Sequence, residues 1–160
     1  MLLFNSKNHT DLSQWQVIND GVMGGNTQSK FVINKSGLGE FSGQVSLENN
    51  GGFSSVRYSL TRVDVDSFQK IKIKLKGDIN RFQLRLKTNK DDRHSYVSYF
   101  ETSGKKQIIE IDLNEFYPKY RGRSLQLSNY PGKHLEEIGF LIANKKAEKF
   151  KLEIESISLI

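Results

Sequence analysis

The chain has 160 residues, no cysteine and a formal net charge of +6. Without thiols it holds no disulfide, no thiolate zinc site and no cysteine nucleophile. Its length suits a single domain over residues 1–160, and an aromatic share of 11% argues against disorder.

The first segment, MLLFNSKNHTDLSQW, lacks the basic region and the apolar stretch of a signal peptide. No window approaches the roughly 20 apolar residues of a membrane span. The expected location is therefore cytoplasmic, and the N-x-S/T sequons at Asn8 and Asn34 count as chance matches. Ten segments then alternate with period two: WQVIN (15–19), QSKFVIN (28–34), GEFSGQVSL (39–47), SSVRYSL (54–60), QKIKIKLK (69–76), NRFQLRLKT (80–88), SYVSYFET (95–102), QIIEIDL (107–113), EEIGFLIAN (136–144) and KFKLEIESISLI (149–160). Clusters of Gly, Asn, Asp and Ser separate them. No stretch keeps a helical period for ten residues, and the best helical candidate is a single turn around Asn114 to Tyr120. This pattern predicts an all-β fold, an antiparallel sandwich or jelly roll.

Alternation assigns faces. Phe82, Leu84 and Leu86 oppose Arg81, Gln83, Arg85 and Lys87; Val56, Tyr58 and Leu60 oppose Ser55, Arg57 and Ser59. Near the C-terminus, Phe150, Leu152, Ile154 and Ser156 oppose Lys151, Glu153 and Glu155. The apolar sets are expected between two sheets, and the polar sets in water or along a shallow groove. EIGFLIAN does not alternate, which predicts a central strand covered on both sides.

A pI of about 9.4 invites a nucleic-acid reading. Yet Lys72, Lys74 and Lys76 simply alternate with Ile71, Ile73 and Leu75, as on a strand with one wet face, where lysines also protect a sheet edge. No RNA-binding aromatic motif, zinc finger or helix-turn-helix pattern accompanies them, so no specific nucleic-acid partner is expected.

Familiar catalytic and cofactor motifs are absent: there is no phosphate-binding loop, dinucleotide fingerprint, zinc-protease helix or nucleophile elbow. His9, His94 and His134 have no metal-site spacing and fall in loops or near the N-terminus. The reading is a non-enzyme with no catalytic residues, no metal and no cofactor. Three segments stand out instead. NDGVMGGN carries Asp20, Met23, Gly24 and Gly25, and is either a corner in which Val22 and Met23 plug the core or a backbone-lined recognition loop. SLENNGGFSSVR carries Asn49, Asn50, Gly51 and Gly52, residues that tolerate positive φ. PKYRGRSLQL places Arg121 and Arg123 around Gly122, downstream of Tyr117 and Tyr120; arginine pairs with carboxylates and phosphates and stacks on aromatic rings.

Taken together, WQVINDGVMGGNTQSKF, FSGQVSLENNGGFSSVR, KGDINRFQLRLKT, FYPKYRGR, IGFLIANK and FKLEIESI occur in the order expected of the complex I intermediate-associated protein 30 family. The resemblance runs from about Trp15 to Ile157. It implies a galactose-binding-like β-sandwich, a jelly roll also used by carbohydrate-binding modules. It further implies a role like that of mitochondrial members, which bind assembly intermediates of NADH:ubiquinone oxidoreductase and are not catalysts. Some members carry a nucleotide-binding Rossmann domain; its fingerprint is missing here, so redox activity is not carried over. A transit segment rich in Arg and Ser is also missing, which favours a compact bacterial member. KKQIIEIDL lacks the tryptophan expected just before that strand, so no contact of that ring is carried over either.

Two binding roles follow. One is a module for a protein partner or assembly intermediate, such as respiratory-complex subunits, through the DGVMGG loop, the NNGG loop and the RGR bend. The other is a carbohydrate-binding module, with Tyr96, Tyr99, Arg57, Gln83 and Arg85 supplying aromatic and planar polar groups on one sheet face. If Met23 plugs the core, Met23→Asp costs roughly 2–5 kcal/mol. An unchanged melting temperature instead places Met23 on the surface and favours the recognition loop.

Overall fold

A computed structural model describes residues 1–8, 11–19, 26–48 and 52–160. Thirteen strands among these residues form two antiparallel sheets packed face to face. The first sheet runs β3 (Gln28–Ile33), β4 (Gly39–Val45), β13 (Glu148–Leu159), β6 (Lys70–Gly77), β9 (Lys106–Asp112), with β1 (Leu2–Asn5) pairing onto β13. The second runs β11 (Arg123–Ser124), β10 (Tyr117–Tyr120), β8 (Ser95–Glu101), β7 (Arg81–Lys87), β12 (His134–Ile142), β5 (Ser54–Asp64), β2 (Trp15–Asn19). The expected β-sandwich is therefore present, and each of the ten alternating segments contains a strand.

The core lies where alternation placed it. Phe82, Leu84, Leu86, Val56 and Phe140 of the second sheet are fully buried, facing Phe41, Leu152 and Ile154 of the first. One aromatic cluster ties the layers together. Trp15 lies between Phe31 (4.1 Å between ring centroids) and Tyr58 (4.6 Å), with Phe4 edge-on at 5.0 Å. The Tyr58 hydroxyl donates to the Leu3 carbonyl at 2.9 Å, fastening the N-terminal strand.

Several expectations need correction. Ser156 does not continue the core face of β13. A register shift between Ile154 and Ser156 resets the phase, so Ile157 and Leu159 become the buried residues; this is what a β-bulge does to side-chain direction. Strand β12 is central, and its residues 138–142 are buried on both faces as expected. Ile138, Phe140 and Ile142 enter the core, while Gly139 and Leu141 face the other way, Leu141 lining an outer groove. Lys72, Lys74 and Lys76 do not protect an edge, because β6 sits between β13 and β9. The turn expected over Asn114 to Tyr120 shrinks to a 3-10 turn at Leu113–Glu115, and β10 takes residues 117–120. His134 opens β12 rather than lying in a loop. Strands β1, β10 and β11 were not anticipated.

Gly43 is required by close approach. It pairs with Ser29 of β3, and a Cβ added there would overlap the Gln28 carbonyl oxygen and lie 2.6 Å from the Ser29 Cα. Gly43→Ala must push β3 off β4. A loss of about 1–3 kcal/mol is expected by chemical denaturation, in the range of other overpacking changes.

Candidate functional site

The outward face of the second sheet is a broad open groove of about 1620 Å³. Strand order builds it. Arg57 on β5 and Arg85 on β7 are both in register with Gly139 of the intervening β12. Glycine leaves the position between the two arginines without a side chain. Gln83 and Leu141 form the next row, with Gln83 opposite Tyr99 on β8.

Each polar group is held in a particular way. Arg85 donates through Nε (3.1 Å) and Nη2 (2.8 Å) to the Gln83 Oε1. Burial lowers the pKa of its guanidinium from the ordinary value; the nearby Tyr99 opposes this shift and the Arg57 charge adds to it. Lys87 donates to the Asp92 carbonyl at 2.7 Å, and burial lowers its pKa as well. The Tyr99 ring carries the Arg81 guanidinium on one face, 3.9 Å from the centroid, and its hydroxyl accepts from Lys119 Nζ at 2.9 Å. Burial alone would raise the Tyr99 pKa, but the Lys119 hydrogen bond and charge, with Arg81, bring it below the usual phenol value. The Arg57 side chain has no hydrogen-bond or ion-pair partner among the described residues.

The sequence-derived candidates separate into three groups. Arg57, Gln83, Arg85, Tyr99 and Arg121 line the groove together. Arg123 does not; it is exposed on β11, beyond a two-residue hairpin turn in which Arg121 (φ 49°) and Gly122 (φ 77°) are both left-handed. Tyr96 points the other way, buried against Tyr130 in the core, because it pairs with the inward Leu86. Asp20, Met23, Gly24, Gly25, Asn49 and Asn50 lie outside the described residues, as does Gly51. Gly52 is described, borders the groove and has φ +132°, the positive value expected of it.

Other cations of the groove went unsingled. Arg81 and Lys87 follow from the alternation of β7, which already put them beside Arg85. Lys119, Lys145 and Lys146 carried no such signal. Among the described residues, nine Lys and Arg line the groove against one carboxylate, Glu101. Among the described residues, no three His, Asp or Glu side chains cluster to hold a metal, and no helix is long and apolar enough to cross a membrane.

The sequence matches the complex I intermediate-associated protein 30 family over residues 2–154. The chain belongs to that family. No curated protein matches it. In solved structures, this family member resembles the family 11 carbohydrate-binding module from Clostridium thermocellum in complex with a β-1,3-1,4-mixed-linked tetrasaccharide: TM-score 0.66, 21% identity, 99% of this chain and 94% of that one. It also resembles the family 11 module of the cellulosomal cellulase Lic26A-Cel5E of the same organism (0.67, 21%, 100% and 93%). An exo-β-agarase matches at 0.62 and 11% identity, over 99% of this chain but 25% of that one. These likenesses place the complex I intermediate-associated protein 30 fold here among galactose-binding-like sandwiches.

Glu137, on the same face of β12 as Gly139, supplies a pH test. Burial raises its pKa, and the charges of Arg57, Lys87 and Lys90 only partly offset this. A folded-state pKa above the unfolded one means the native state binds more protons between the two values, so stability falls as pH rises through that window. Glu137→Gln is expected to remove that loss, making melting temperature flatter from acidic to neutral pH than in the wild type.

Proposed function

We propose that the whole chain, residues 1–160, acts as one non-catalytic binding module of the complex I assembly type, and that it engages a protein partner across the groove of the seven-stranded sheet. The charge of that groove carries this reading. Among the described residues its cations far outnumber its one acid, Glu101, and the floor aromatic, Tyr99, has a guanidinium on its ring where a sugar would stack. A surface so charged steers an acidic partner and orients it. Arg57, Arg85 and Arg121 are the binding residues on this reading; Gln83 positions Arg85, and Tyr99 holds the neighbouring Arg81 and Lys119.

A carbohydrate is the second reading. It is favoured by the convergence of Arg57, Gln83, Arg85 and Tyr99 on one face, and by the tetrasaccharide named in the family 11 module.

One pair of experiments decides between them. Tagged protein crosslinked in cells is expected to recover respiratory-complex subunits, and a glycan array is expected to be blank. Recovery of no respiratory or membrane partner counts against the assembly role. An array signal that Arg85→Ala removes transfers the groove to a glycan.

A further inference from the structure

We infer that the groove reads an extended acidic segment of the partner, with the Arg57–Gly139–Arg85 row taking one of its carboxylates. This deepens the protein-partner reading and rests on it.

Two arginines flank a residue that has no side chain. They sit two strands apart, about 10 Å at the backbone, so long side chains from both sides can close over the Gly139 gap. Arg85 is already desolvated and aimed by Gln83 at 2.8 and 3.1 Å. Arg57 lies near enough for like charges to interact, and no described carboxylate forms an ion pair with either. Glu137, two positions along β12, feels Arg57 and Lys87 but does not bridge them. Among the described residues the row is therefore a fork without its acid, and guanidinium geometry matches a planar carboxylate.

The ladder beside it selects the ligand. Arg81, Gln83, Arg85 and Lys87 project from one face of β7, each about 6.8 Å from the next. An extended peptide repeats its same-side residues at that spacing. Acids at alternate positions then meet Arg81, Arg85 and Lys87 in step, with one facing Gln83, whereas a segment whose acids recur every fourth residue on one face meets at most two of these cations.

The test uses a fluorescently labelled peptide of alternating Glu and Ser, followed by polarisation on the full chain. Binding is expected, weakening as salt is added, and absent for the Gln-Ser control. Arg57→Gln and Arg85→Gln should each weaken it roughly ten- to hundredfold, the range for losing a charged hydrogen bond. Gly139→Glu supplies an internal carboxylate and should abolish binding without lowering the melting temperature. A Cβ there makes only ordinary contacts, 3.5 Å to the Val56 oxygen and 3.7 Å to the Arg85 Cβ. If Gly139→Glu misfolds, Arg57→Gln carries the test, since Arg57 holds no structural partner.

Equal binding of the Gln-Ser peptide, or of a Glu-Glu-Ser-Ser peptide, overturns the inference. So does Glu-Ser binding that none of the variants alters. Binding of a sulfated oligosaccharide or a thymidine oligonucleotide, with the Glu-Ser peptide silent, overturns it in favour of a glycan or nucleic acid. A silent peptide with crosslinked capture undiminished in Gly139→Glu overturns it but leaves the protein-partner role standing. A binding peptide without capture supports the carboxylate row and removes the assembly role.

Discussion

A strand in a two-layer sandwich can give only one face to the core, and this constraint shapes everything on the outer surface. Burying Phe82, Leu84 and Leu86 fixes the phase of β7. The same phase puts Arg81, Gln83, Arg85 and Lys87 outward. A slip by one residue would bury four polar groups and expose three apolar ones, so the register is strongly held. The cationic face is thus set by the hydrophobic packing behind it, and the two cannot vary independently.

A surface with this many like charges needs internal relief, since nearby cations destabilise one another. The relief comes from neutral acceptors more than from acids. The Gln83 amide takes Arg85, the Asp92 carbonyl takes Lys87, and the Tyr99 hydroxyl takes Lys119. Neutral acceptors hold each cation in place and leave its charge uncancelled. A carboxylate at the same positions would hold the cation equally well but quench its field. The arrangement keeps the groove both ordered and attractive to anions.

Most of the strands were legible because half-buried strands alternate, and alternation is local. Strand β1 was not, since LLFN shows four residues and no period. Nor were β10 and β11, one of which contains Pro118 and the other only two residues. The bulge in β13 is set by pairing to β6, which the sequence of β13 alone does not state. The site was legible in part for the same reason. Alternation put Arg81, Arg85 and Lys87 on one face, but bringing β5 beside β12 and β12 beside β7 depends on contacts distant in sequence. Gly139 lies in EIGFLIAN, which does not alternate and so gives no sign of which residues face outward. Only the strand order reveals that it separates two arginines. Tyr96 and Tyr99, three positions apart on one strand, fall on opposite faces, so they could not share a sheet surface.

Trp15 is the chain's single tryptophan, and it spans the two layers between Phe31 and Tyr58. The residue is buried, 8% exposed. Intrinsic emission excited at the indole therefore comes from one place, the seam where the sheets meet. It reports whether the layers are closed and stays largely blind to what lies on the far side of the second sheet. Tyr99, with its ring under one cation and its hydroxyl on another, sits on that far side. The molecule thus carries one unique native optical reporter, and it reads folding; Tyr99 shares its signal with five other tyrosines.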